Sequence, residues 1–282
     1  MDCIGIVGAG VMGQGIAHCL AEKGKTVYIY DIDNKKTDGL ADKIVKSIKT
    51  NRMFLNTEFE GMDAIRNRIK IYEKMEFFEE PDIIIECISE VMEIKKEAFV
   101  LLDKIAKQSC IFFSNASCIS ITQLASFTQR PEQVIGVHFM NPAYLIHTVE
   151  VIKGLLTSME TVNATNQFIE SIGKKSILVN DYPGYVSNRI SHLMMNEAAF
   201  IVQDQVASAE AVDRIFKECY GHKMGPLETA DLIGIDVVVN SLDILYKSYQ
   251  DSKFRCCPLL SRMVYANLLG RKTGEGFYKY ER

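Results

Sequence analysis

The chain has 282 residues, 48% of them hydrophobic and 24% charged, with a formal net charge of −4. That usage fits a globular protein long enough for two domains and excludes a disordered, fibrous or disulfide-scaffold chain. The weak acidity gives no footprint for nucleic acid or an anionic membrane, and no apolar run is long enough to span a bilayer.

Taken in order, the chain opens with a short apolar strand, Ile4–Val7, running into Gly8-Ala9-Gly10-Val11-Met12-Gly13. The pattern G-x-G-x-x-G after a strand and before a helix has a mechanical reading. Gly8 makes the tight turn, Gly10 lets a pyrophosphate approach the backbone, and Gly13 lets the helix pack close to the strand. The helix, Met12 to about Lys23, turns its unpaired N–H groups and positive end towards the phosphates. A second strand, Thr26–Tyr30, ends at Asp31, where a carboxylate accepts from the ribose hydroxyls. No Arg follows to hold a 2′-phosphate, so NAD is expected over NADP.

Residues 34–52 form a lysine-rich helical stretch. Most of its charges read as a solvated face, while Ser47, Lys49 and Arg52 are candidates for an anionic part of a substrate. A short helix over 58–68 and a strand over 69–72 follow. The run Asp82-Ile-Ile-Ile-Glu86 suits a strand buried on both faces of a parallel sheet, and Glu90 falls just past its end, where open α/β sheets place ligands. A helix over 93–107 carries Lys95 in its first turn. Strand 110–113 ends in Ser114-Asn115-Ala116-Ser117, and strand 134–139 carries His138 before the turn Asn141-Pro142. Strand 148–152 holds Glu150 among apolar neighbours. A helix over 158–172 and a strand over 175–179 precede Asp181-Tyr-Pro-Gly184. Beyond it the patterns are all helical, at 185–205, 207–220, 227–249 and 258–268. The expected domains are therefore 1–182, a Rossmann-like α/β dinucleotide-binding domain, and 183–282, an all-helical C-terminal domain.

A nicotinamide at the sheet's C-terminal edge would lie among Glu90, Asn115, Ser117 and His138. Oxidising an alcohol needs a base at the hydroxyl, and histidine titrates in the useful range. Glu150 lies twelve residues on, across a hairpin, placed to hold the imidazole tautomer. Ser117 and Asn115 are donors for a developing ketone. Each also has a plain structural alternative: a satisfied core histidine, a paired carboxylate, a strand or helix cap. Eight cysteines without C-x-x-C spacing read as buried reduced thiols of a reducing compartment. With no signal-peptide pattern at the N-terminus, a cytoplasmic protein is expected. The histidines lack metal-ligand spacing, and no metal is expected.

At this point the residues carry a family likeness over nearly the whole chain. The sequence resembles the bacterial short-chain L-3-hydroxyacyl-CoA dehydrogenases of the 3-hydroxybutyryl-CoA dehydrogenase type. The markers are G-A-G-V-M-G-Q-G-I-A, S-N-A-S-C-I-S-I-T, V-I-G-V-H-F-M-N-P-A, T-V-E-V-I, P-G-Y-V-S-N-R-I, M-G-P-L-E-T-A-D-L-I-G-I-D and G-R-K-T-G-E-G-F-Y-K-Y. The resemblance implies an NAD-dependent enzyme that dimerises through its helical domain. It implies His138 as base, Glu150 as its orienting partner, and Ser117 and Asn188 around the reacting oxygen and thioester. It also implies dinucleotide contacts from Asp31, Glu90, Lys95, Asn141 and Lys272.

The chain departs from the family pattern at Met53 and Phe54, where lysines are common, at Met140, Tyr144 and His147, where Phe, Pro and Lys are expected, and at Cys118, where a Ser is common. The weakened clamp for coenzyme A phosphates leaves room for a substrate carried on an acyl carrier protein, as in polyketide-type pathways. A free hydroxy acid is a further rival, and a non-catalytic NAD-binding protein is the alternative from outside the enzymes.

Overall fold

The computed structural model describes residues 1–55, 61–75 and 78–281, with only the backbone of Leu55. It divides into two compact units, Met1–Asp181 and Tyr182–Arg282. The first is built on an eight-stranded sheet in the order β3-β2-β1-β4-β5-β6-β7-β8. The strands are β1 (Cys3–Val7), β2 (Thr26–Tyr30), β3 (Ile69–Ile71), β4 (Ile83–Glu86), β5 (Ile111–Ser114), β6 (Val134–His138), β7 (Thr148–Lys153) and β8 (Lys175–Asn180). All neighbours are parallel except β6 and β7.

Chain order reverses between β1 and β4, which leaves a crevice beyond their C-terminal ends. Ile4 and Ile6 of β1 are fully buried and join Ile16 and Leu20 of helix α1 (Val11–Glu22), Val27 and Ile29 of β2, and Ile83 and Ile85 of β4 in one core. Burying each such side chain contributes about 1.5–3 kcal/mol. On the opposite face, Gly5 makes room for the Phe78 ring, which a Cβ there would meet at 2.9 Å.

The helices follow the sequence patterns with three differences. Residues 34–52 are broken: a single turn, α2 (Asn34–Thr37), is separated from α3 (Leu40–Leu55) by Gly39 at φ +61°. The stretch expected to be one helix over 227–249 is two, α10 (Pro226–Ile233) and α11 (Ile235–Tyr249), parted by Gly234 at φ +108°. A short helix α6 (Ile121–Ala125) was not expected. Of the helix expected over 58–68, α4 covers Met62–Arg68, and residues 58–60 lie outside the described residues. α5 (Met92–Ile105) and α7 (Met159–Ser171) complete the first unit.

α6 is held at its start by Asp181, whose carboxylate accepts from Ser120 Oγ (2.8 Å), Ile121 N (3.0 Å) and Thr122 N (2.7 Å). Truncating Asp181 to Ala is expected to cost about 2 kcal/mol, the upper range for a lost helix cap; an unchanged urea midpoint would contradict this role.

The second unit contains α8 (Ser187–Gln203), α9 (Ala209–Tyr220), α10, α11 and α12 (Pro258–Tyr265) around Met195, Leu227, Ile235, Val238, Leu242 and Leu260. Its only extended pairing among the described residues is two isolated bridges, Gly270 to Glu275 and Glu275 to Lys279. Asp213 of α9 caps α10 by accepting from Leu227 N and Glu228 N, both at 2.8 Å. No described helix is long and apolar enough to cross a membrane. All eight cysteines are free, but not all are buried: Cys219 is exposed on α9, and Cys3, Cys87 and Cys256 are half-buried. Cys219 follows the polar face of its helix rather than the apolar residues beside it in sequence.

Candidate active site

The antiparallel reversal between β6 and β7 sets His138 directly opposite Glu150. Both are buried, and His138 Nδ1 lies 3.0 Å from Glu150 Oε2. A carboxylate only accepts, so Nδ1 is the donor in this pair, and in the neutral ring the lone pair is on Nε2. Nε2 faces Ser117 Oγ at 3.4 Å, in the loop after β5. That loop is tied to the histidine strand by Asn115, whose Oδ1 accepts from Phe139 N at 2.9 Å. One edge of the sheet therefore brings together an imidazole, a carboxylate paired with it and a hydroxyl.

A second cluster lies beside it. Lys95 of α5 and Glu86 of β4 are each 1% exposed, with Lys95 Nζ 2.6 Å from Glu86 Oε1. The remaining acceptor capacity of Glu86 is filled by Ser114 Oγ (2.8 Å) and Ile88 N (2.8 Å). Burial works against the Lys95 ammonium, but Glu86 and Glu90 outweigh it and hold its pKa above the ordinary value. Glu90 lies 3.7 Å from the same ammonium and accepts from Ser117 N. Burial raises its pKa, with Lys95 and the Ser117 N–H opposing. The Glu90 Oε2 atom is buried without a hydrogen bond, a polar group left for a ligand to meet.

At the other side of the crevice, β1 runs through Gly8 into α1. A Cβ on Gly8 would come within 2.6 Å of Cys87 O, and one on Gly13 would run into the Gly8 carbonyl, whereas one on Gly10 would meet nothing within 4 Å. The first and third glycines are thus demanded by packing, and the middle one borders open space. No side chain caps α1 at Gly10, and Val11 beside it is exposed, so the first N–H groups, including that of Met12, are left for an anion. Asp31 is buried and accepts from Ala9 N (2.7 Å) and Asp33 N (2.9 Å), with Lys36 Nζ at 3.5 Å. A pyrophosphate at Gly10 and a ribose at Asp31 fit these donors and acceptors.

Residues 3–182 match the family model for the 3-hydroxyacyl-CoA dehydrogenase NAD binding domain, and residues 184–280 that for the family's C-terminal domain. The chain belongs to the 3-hydroxyacyl-CoA dehydrogenase family. It is 43% identical to a probable 3-hydroxybutyryl-CoA dehydrogenase of Bacillus subtilis, over 98% of this chain and 96% of that one. It is 41% identical to a 3-hydroxybutyryl-CoA dehydrogenase of Clostridioides difficile, over 99% of each. The crystal structure of (S)-3-hydroxybutyryl-CoA dehydrogenase from Ralstonia eutropha matches with a TM-score of 0.92 at 36% identity, covering 100% of both chains. The cofactor of this 3-hydroxyacyl-CoA dehydrogenase is NAD.

In this dehydrogenase His138, Glu150 and Ser117 meet at one sheet edge, with Asn115 and Glu90 in the adjoining network. Asn141 is exposed in the connection over 139–147. Asn188, in the first turn of α8, and Lys272, bonded to Asp236 at 2.5 Å, lie in the second unit. The three expected substrate contacts on α3 separate. Ser47 lines a groove, Arg52 is ion-paired with Glu22 of α1, and Lys49 is exposed outside the groove lining. Sequence reasoning missed Glu86 as the main partner of Lys95, and it missed Lys174. The latter is a buried lysine donating to Ala143 O (2.7 Å) and Ile146 O (2.5 Å), which pins the connection from His138 to Glu150. An acid at the end of an otherwise apolar strand was the available signal for Glu86.

Proposed function

We propose that the protein is an NAD-dependent oxidoreductase interconverting a short L-3-hydroxyacyl-CoA thioester and its 3-oxo form. The observation that carries this reading is the His138–Glu150 pair, with Nδ1 towards Glu150 and Nε2 facing Ser117 Oγ. Bound NAD supplies the hydride acceptor. His138 Nε2 takes the hydroxyl proton as C3 is oxidised, and Glu150 stabilises the resulting imidazolium through Nδ1. Ser117 Oγ donates to the oxygen as it gains carbonyl character. The Gly8–Gly13 turn and the N–H groups at Val11 and Met12 hold the pyrophosphate, Asp31 the ribose, and Glu90, Lys95, Asn115, Asn141 and Lys272 contribute to the rest of the dinucleotide site. Asn188 is assigned to the thioester side of the substrate.

The test is NADH oxidation with acetoacetyl-CoA, followed by chiral analysis of the product. Formation of L-3-hydroxybutyryl-CoA is expected. The D-enantiomer, or equal turnover of free acetoacetate, would refute the assignment. We also propose a homodimer formed through the second unit, supported by its exposed apolar side chains, including Ile190, Val206, Tyr220 and Tyr265. A sedimenting species at the 31.8 kDa of one chain would contradict it.

A further inference from the structure

The short helix α6 lies close to the reacting groups. Gly136 of β6 stands two residues before His138 and so shares its face of the sheet. A Cβ at Gly136 would come within 2.8 Å of the Ile121 side chain. The missing side chain is what lets α6 lie against this strand, with Ile121 fully buried. Ser120 caps the helix, and only Cys118 and Ile119, both buried, separate it from Ser117. Consecutive Cα atoms are 3.8 Å apart, and so short a packed stretch has no slack. A displacement at the start of α6 is passed on to Ser117.

The loop over 115–120 is seated at two ends. At the front, Asn115 N donates to Glu86 O (2.9 Å), Ala116 N to Ser114 Oγ (3.2 Å) and Ser117 N to Glu90. The rear is seated from β8. Asp181 follows that strand directly, and its N–H donates to Lys153 O of β7 at 3.1 Å. One oxygen of its carboxylate, Oδ2, accepts from both Ser120 Oγ and Thr122 N, and Oδ1 accepts from Ile121 N. β7 is also the strand that carries Glu150. Asp181 therefore ties the loop of Ser117 to the strand that orients His138.

A helix cap alone does not account for this arrangement. α6 has five residues and already has a cap in Ser120, whose Oγ accepts from Gln123 N at 3.2 Å. The carboxylate that takes its first two N–H groups comes from 60 residues along the chain. We propose that Asp181 is a positioning residue for the reaction, setting through α6 where Ser117 Oγ stands relative to His138 Nε2. The separation it sets is 3.4 Å. The inference rests on the roles given above to Ser117 and His138.

Asp181→Asn keeps the shape and leaves one acceptor oxygen in place of two. The hydroxyl of Ser120 can reverse and accept from the amide, but the N–H groups of Ile121 and Thr122 cannot. One of them must face an NH2 group, and the start of α6 must move.

The experiment is a double-mutant cycle on the whole chain, with kcat measured for NADH oxidation by acetoacetyl-CoA and NADH affinity by fluorescence titration. Ser117→Ala is expected to lower kcat about 10²-fold, as for one lost donor to a developing oxyanion. Asp181→Asn is expected to lower it roughly tenfold, through misplacement rather than removal of that donor, with NADH affinity within about twofold of the parent. In the Ser117→Ala background the same change should alter kcat less than about twofold, because the group it positions is gone. Ser120→Ala, which removes one of the three donors, should cost about threefold and lose its effect in the same way. Should Asp181→Asn fail to fold, the cycle of Ser120→Ala with Ser117→Ala decides by the same criterion. An equal loss with and without Ser117 overturns the proposal, since Asp181 would then act on something else. So does a kcat within about twofold of the parent in both Asp181→Asn and Ser120→Ala. Parent-level turnover by Ser117→Ala overturns the role of Ser117 and this inference with it, whereas a failure confined to the cycle leaves that role standing.

Discussion

Replacing His138 with Gln is expected to lower kcat by about 10²- to 10⁴-fold, the range for a lost general base, while NADH still binds. Gln can keep a hydrogen bond to Glu150 through its amide, so the hairpin and the neighbouring dinucleotide cradle stay in place. It has no group that takes a proton near neutral pH. Steady-state turnover of acetoacetyl-CoA and a fluorescence titration with NADH measure the two quantities separately. Turnover within a few-fold of the parent would remove His138 from the mechanism. Loss of NADH binding in step with turnover would mean that the histidine supports the fold rather than the chemistry.

Replacing Lys95 with Met is expected to destabilise the first unit by about 3–5 kcal/mol, the cost of leaving one partner of a buried ion pair uncompensated. Glu86 is only 1% exposed, too little for water to take over from the ammonium, and Ser114 Oγ and Ile88 N supply only part of what its carboxylate needs. The double change Glu86→Gln with Lys95→Met removes both charges while keeping an acceptor for Ser114. Most of the lost stability should return. Urea midpoints of the parent, both single variants and the double variant decide this. A loss below about 1 kcal/mol for Lys95→Met, the range of an exposed pair, would mean that water reaches the pair.

Much of the sheet could be read from the chain because buried parallel strands are short apolar runs between polar or glycine residues. The run Asp82-Ile-Ile-Ile-Glu86 and the strand ahead of Gly8 are clear instances. The same rule concealed Glu86, since an acid closing an apolar run looks like its boundary until Lys95 is brought to it by the following helix. Periodicity also ran through two breaks, at Gly39 and Gly234, because apolar spacing is nearly continuous across both. The positive φ at each shows that backbone conformation overrode side-chain pattern there. The His138–Glu150 pairing was legible because a twelve-residue separation across a reversal is a local property. The partners of Arg52 and Lys174 come from other elements, and nothing in the spacing along one segment points to them.

The antiparallel step between β6 and β7 has a consequence for how this enzyme can change. Facing register partners in a hairpin keep their separation through the pleat of the sheet, and only a slip of register would turn one of them away. The nine residues between the two strands, 139–147, form the outer connection and carry Met140, Tyr144 and His147, three of the positions at which, in the sequence analysis above, the chain departs from the family pattern. The connection and the pair thus sit on one continuous segment, but only the pair is held by the ladder of the sheet. The connection can drift in size and polarity while the register that pairs His138 with Glu150 stays fixed.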